Sequence, residues 1–309
     1  MTVRDRSLAA LVAVLWGVNF VAIHVGLQHF PPLLLAALRF GVIAVPTVVL
    51  VPRPRVPLRW LVGYGLGFGT VQFIFLFVAM DSGMPAGLAS LVLQASAPFT
   101  VLLGALLLGE RLTARQGTGI GLAVAGLAAI AVSRAETAAL LPVLLTVIAA
   151  LGWAAGNLCS RLAAPPNPLH LTLWMTVVPP VPLLGLSLAL EGPAADWAAL
   201  RAAVTPSGVG GLLALAYLVL LATVLASGIW TALLRRYPAG VVAPYSLLVP
   251  VVGIGAAAAM LGERPTAVEL VSAVVIIGGV LLGTPRPLAT PSEPPPGGSE
   301  SWRLPQRSP

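Results

Sequence analysis

Ten apolar stretches, each about twenty residues long and so long enough to cross a bilayer, follow one another with only short connections between them. A chain written this way has to satisfy its backbone polar groups internally, as helices in lipid. Apolar runs bounded by charge, Pro or Gly predict helices at 8–27, 33–51, 60–80, 85–108, 115–133, 139–160, 169–190, 208–230, 239–261 and 267–284. With 58% hydrophobic and 9% charged residues, a soluble reading is excluded, and no length remains for a separate soluble enzyme domain.

Although Arg4 and Arg6 precede the first run, it is longer than a signal core, carries Trp16 and Asn19, and leads directly through Pro31 and Pro32 into a second span. It reads as a retained helix. Residues 285–309 hold eight prolines in twenty-five positions and predict a disordered, Pro-rich cytoplasmic tail. Between Glu191 and Ser207, Trp197 and Leu200 suggest a short piece lying at the interface.

The seventeen basic residues are all Arg, scattered between apolar runs rather than gathered into the aromatic-interleaved stripe that a nucleic acid requires. They orient the chain instead. With ten spans and the N-terminus inside, thirteen fall on the cytoplasmic side and four, Arg39, Arg134, Arg201 and Arg264, do not. Both termini are then cytoplasmic. The single Cys159 excludes an intramolecular disulfide framework and any multi-cysteine metal site.

The chain also repeats itself. AGLASLVLQASAPFTVLLGALLLGERLT, from Ala86, has a partner AGVVAPYSLLVPVVGIGAAAAMLGERPT, from Ala239, and Trp16 with Asn19 is matched by Trp153 with Asn157. Two five-helix units result, 1–134 and 138–284, and an odd number of spans per unit forces them into opposite orientations. Inverted repeats of this kind build transporters with a site near the bilayer midplane.

Several blocks carry a family resemblance: WGVNFVAIHVGL in the first helix, PPLLLAALRF in the second, GMPAGLASLVLQASAPFTVLLGALLLGERL in the fourth, ALAYLVLLATVLASGIWTALLRR in the eighth, and APYSLLVPVVG with LGERPT in the ninth. Over residues 8–284 the sequence resembles the EamA branch of the drug/metabolite transporter superfamily, and around Asn19, Arg39 and Gln94 it is most similar to that family's exporters of O-acetylserine and cysteine. The resemblance implies an all-α integral membrane protein in a bacterial inner membrane, exporting small metabolites from a central cavity by alternating access. Broad-specificity drug or aromatic-compound export, or a lipid-type flippase, are the alternatives.

A mid-bilayer charge costs about 2.5–3.5 kcal/mol, which makes Arg39 the most informative residue. It either snorkels or pairs with helix-end carbonyls, or it binds a substrate carboxylate through two parallel hydrogen bonds. Repeat symmetry sets Met175 opposite it, leaving the charge on one half only. Trp16 with Asn19 and Trp153 with Asn157 each share a helix face and make two facing walls, or else the amides serve as interhelical glue. Gln72, Gln94, Ser96, Tyr217, Tyr245 and Ser246 are uncharged polar groups within apolar runs, suited to line a cavity or to hold helices together. Trp60 and Trp230 sit at span ends and read as interfacial anchors. Pro98 and Pro250 each remove a donor mid-helix and suggest paired hinges.

Asp81, Glu110, Glu263 and Glu269 are placed at span ends, His24, His29 and His170 near them, and no arrangement supports an intramembrane hydrolase. Glycine-rich spellings around Gly63 and Gly119 lack the strand context of a nucleotide site, and no GxxxxGK[ST] run is present. No metal and no cofactor is expected. The expected partners are a small-molecule substrate and the lipid bilayer, not nucleic acid, with a homodimer left open.

Overall fold

A computed structural model describes residues 1–135 and 140–283, apart from the side chains at 239 and 240, and within them every regular element is helical. Among the described residues nine helices are long and apolar enough to span, α1 Val3–Leu27, α2 Pro32–Leu50, α3 Leu58–Asp81, α4 Ala86–Leu108, α5 Ala114–Ala135, α6 Leu140–Ala163, α7 Pro168–Glu191, α8 Pro206–Arg236 and α9 Ala243–Leu261, and a shorter apolar helix, α10 Ala267–Gly283, takes the tenth place. A helical turn, Ala239–Val242, leads into α9. The face on which α1 begins is called here the terminal face. Five crossings bring the chain to the far face, so α6 starts there and the second five spans run opposite to the first. The expected Pro-rich tail lies outside the described residues.

Local chemistry accounts for departures from the expected boundaries. α1 starts at Val3, earlier than the apolar run, because Thr2 caps it: the Asp5 N–H donates to Thr2 Oγ1 at 3.2 Å. Glu191, expected to open a polar connection, ends α7 and caps α2, its carboxylate accepting from the N–H of Leu33 at 2.7 Å and Leu34 at 3.1 Å. α7 breaks at 176–179, where Pro179 and Pro180 interrupt the backbone ladder. The connection after it forms a short helix, Pro193–Ala203, whose exposed Trp197 lies under the Arg201 guanidinium at 5.0 Å. Glu269 stands at a span end, as expected, in the first turn of α10, and is buried there and salt-bridged to Arg134.

Small residues set the crossings. A Cβ on Gly67 would lie 2.7 Å from the Gly156 nitrogen, and one on Gly156 would lie 2.7 Å from the Phe68 nitrogen, so α3 and α6 touch backbone to backbone. α5 and α10 meet the same way: a Cβ on Gly119 would stand 2.5 Å from the Gly279 carbonyl. The two ends of α4 behave differently. Its first half, Ala86–Ala95, is buried throughout and packs on α9, whereas its second half is mostly half-buried, with only Leu106, Leu107 and Leu108 exposed, and leans on α5, α6 and α10.

Candidate functional site

Between the two repeats lies a cavity of about 370 Å³ whose wall includes Trp16, Asn19, Arg39, Gln72, Trp153 and Asn157. The small-residue crossing of α3 and α6 puts Phe68 edge-on to Trp153, with ring centroids 5.7 Å apart. Phe73 extends the aromatic wall towards Arg39, whose guanidinium stands 4.5 Å above its ring.

Arg39 does not snorkel. It is 6% exposed, and its fork is directed at neutral oxygens: Nη1 donates to Asn19 Oδ1 at 3.3 Å, while Nε and Nη2 donate to Thr223 Oγ1 at 3.3 and 3.0 Å. Among the described residues no carboxylate meets it, because the salt bridges there join Arg134 to Glu269, Arg161 to Glu110 and Arg236 to Asp5. Nor do Asp, Glu or His line the cavity. The buried charge of Arg39 is therefore met by two neutral oxygens and the face of Phe73.

Thr223 was not legible in the sequence. It belongs to a π-helical segment, Tyr217–Leu225, within α8, and such a widened turn re-aims side chains and frees carbonyls. Both effects appear here. Thr223 faces Arg39, and the Ala222 carbonyl accepts from Trp16 Nε1 at 3.0 Å. Trp230 also departs from expectation: rather than anchoring at the interface, it lines the cavity and packs on Trp16 with centroids 5.2 Å apart.

Gln94, Ser96 and Ser246 line the cavity, and Gln94 Nε2 donates to the Ser246 carbonyl at 3.0 Å. Gln72 is buried with its Oε1 unpartnered. Asn157 Nδ2 donates to Thr100 Oγ1 at 3.2 Å, and Met175 belongs to the same cavity lining as Arg39. The two tyrosines do not join them. The Tyr217 hydroxyl donates to the Leu15 carbonyl at 2.9 Å, tying α8 to α1 outside the lining, and Tyr245 packs with Ala9, Leu233 and Val242 near the terminal face. Their amphipathic rings are used to join helices.

Pro98 and Pro250 stand just after matched 3₁₀ segments, Leu93–Ala95 and Ala243–Leu247. Pro98 borders a second space of about 240 Å³, which adjoins the first through Ala97 and Asn157 and extends to Gln116 and Gly283 at the terminal face. Pro250 is buried. No group of three or more His, Cys, Asp and Glu comes together among the described residues.

The EamA-like transporter family model matches residues 7–132 and 140–284. A "Probable amino-acid metabolite efflux pump" of Salmonella typhimurium is 46% identical over 288 residues, covering 91% of this chain and 95% of its own length. The protein of the same description from Escherichia coli K12 is 44% identical with the same coverage. A "Probable terminal-alkyne amino-acid exporter" of Streptantibioticus cattleyicolor is 30% identical, covering 88% of this chain and 90% of its own. A crystal structure at 22% identity, with a TM-score of 0.58, spans 92% of this chain and 97% of its own and shares the fold. Two matched five-helix units around a midplane cavity, together with these likenesses, make the chain a multi-pass membrane protein of the EamA-like transporter family.

Proposed function

We propose that the chain exports small amino-acid metabolites carrying a free carboxylate, cysteine and O-acetylserine among them, by alternating access. The observation that carries the reading is Arg39, buried beside the cavity with neutral partners alone. An incoming carboxylate takes two of its parallel N–H groups and supplies the missing charge. The volume, about 370 Å³, suits a compact amino-acid derivative, and the amino-acid efflux ascribed to the relatives agrees with such cargo. The Arg distribution supports a cytoplasmic terminal face, and Pro98 and Pro250 supply the bends about which α4 and α9 rock in this reading.

The test is uptake of a metabolite panel into vesicles of known sidedness, run for the native chain and Arg39→Ala. The expected result is transport of cysteine and O-acetylserine that is lost in the variant. The tryptophan and phenylalanine walls favour a second reading, aromatic-compound export. Transport of uncharged aromatics at equal rates by both proteins would select it and reject the carboxylate site.

A further inference from the structure

The loops that follow the fourth helix of each repeat are the same in sequence, Leu108-Gly109-Glu110-Arg111 and Leu261-Gly262-Glu263-Arg264, and nearly the same in backbone. Gly109 and Gly262 are both left-handed, with φ of 68° and 69°. The N–H of Glu110 returns to the Gly104 carbonyl at 3.4 Å and that of Glu263 to the Ala257 carbonyl at 3.3 Å. Matched capping pairs follow, Thr113 with Gln116 and Thr266 with Glu269.

Only the carboxylates differ in what they hold. Glu263 accepts from the N–H of Ala86 at 2.7 Å and of Gly87 at 3.0 Å, clasping the start of α4 to the end of α9 across the far face. The clasp is tight: a Cβ on Gly87 would stand 3.1 Å from the Ile254 Cα. The repeat that carries Glu110 onto Glu263 also carries Ala86 and Gly87 onto Ala239 and Gly240, on the terminal face. Glu110 is bound there to Arg161 at the end of α6, with both side chains about half exposed, at 49% and 50%. On the side of the closed clasp the α4 helix is buried throughout, and towards Glu110 it is mostly half-buried and ends on three exposed leucines, Leu106, Leu107 and Leu108.

We infer that Glu110 is the second clasp and Arg161 its holder: when the far face opens, Glu263 lets go of Ala86 and Gly87, while Glu110 leaves Arg161 and accepts from the backbone N–H of Ala239 and Gly240. The two glutamates act as positioning residues that decide which face is shut. In the exchange Glu110 trades a guanidinium for two backbone N–H groups, and Arg161, half exposed, is left to water. In the first repeat, the end of α1 carries a base where α6 carries Arg161: His24 follows the Trp16–Asn19 pair much as Arg161 follows Trp153–Asn157. The inference rests on the alternating-access part of the proposed function and is independent of the cargo.

The experiment places a cysteine at Ala97 in a Cys159→Ser background and compares labelling by a membrane-impermeant maleimide from each face, without cargo. Glu263→Gln is expected to raise the ratio of far-face to terminal-face labelling, and Glu110→Gln to lower it, each by roughly tenfold, the weight of one charge-assisted hydrogen bond. Arg161→Ala, at an exposed side chain that folding tolerates, is expected to raise the ratio and to lose that effect in the Glu110→Gln background. Shifts of the two glutamate variants in the same direction, or an unmoved ratio in both Glu110→Gln and Arg161→Ala, overturn the exchange even if Glu263→Gln shows that both faces open. Labelling from one face alone in every variant overturns alternating access as well.

Discussion

The Gln94 side-chain amide donates to the Ser246 carbonyl at 3.0 Å, four residues before Pro250, where that proline supplies no N–H to close the helical ladder. One repeat thus satisfies an acceptor that the other repeat's proline leaves open. Gln94→Leu removes the donor while keeping most of the volume. The expected outcome is a loss of about 1–3 kcal/mol in stability, read as a lower thermal midpoint in detergent, with Gln94→Glu recovering none of it because an ionised carboxylate only accepts.

Arg39 joins activity and stability with opposite signs. Arg39→Met is expected to cut transport of carboxylate cargo by roughly tenfold to a hundredfold, as one charge-assisted contact is lost. It should leave the thermal midpoint equal or higher, because a buried cation without a counter-charge is removed. Arg39→Lys keeps the charge without the planar fork and is expected to fall between the two in a transport assay. A midpoint that drops sharply in Arg39→Met would assign the residue to structure instead of cargo.

Two ion pairs separate by burial. Glu269 is buried, so Arg134→Ala, which strips its carboxylate of the guanidinium, is expected to cost about 3 kcal/mol. Glu110 and Arg161 are both half exposed, and Arg161→Ala is expected to change stability by less than about 1 kcal/mol. Chemical denaturation of the two variants in the same detergent checks the contrast, and added salt should widen it by weakening only the exposed pair.

Helix crossings supply a steric test. Gly156→Ala puts a methyl 2.7 Å from the Phe68 nitrogen and is expected to push α3 from α6, separating Phe68 from Trp153 and lowering both stability and transport. The cost of such overpacking is about 1–3 kcal/mol. Gly185→Ala, where a Cβ meets nothing within 4 Å, is expected to be neutral or to gain about 0.5–1 kcal/mol from helix propensity. Thermal midpoints of the two variants, measured side by side, decide it.

Much of this was legible from residue order because lipid leaves a chain few choices. Spans, repeat and inversion follow from apolar length and parity, and Arg39, Trp16 and Asn19 announce themselves as polar or bulky groups where the bilayer tolerates few. What stayed hidden depends on helix irregularity. Thr223 and Trp230 reach the cavity through the π segment of α8, which apolar periodicity does not encode, since Tyr217–Leu225 reads like any membrane run. Tyr217 and Tyr245 failed as lining for a related reason: a half-turn decides whether a hydroxyl faces the hollow or the neighbouring helix. Glu191, Glu263 and Glu269 looked like loop polarity, yet each accepts from backbone N–H groups at the start of a helix.

The contact of Gly119 with Gly279 brings main chain against main chain between α5 and α10, one helix from each repeat. With no side chain interposed there is nothing to compress or re-pack, and a slip along the helix would drive Leu122 or Ala123 into the opposing backbone. In the transport cycle proposed above this seam would serve as the axle, about which the halves tilt without shearing past one another.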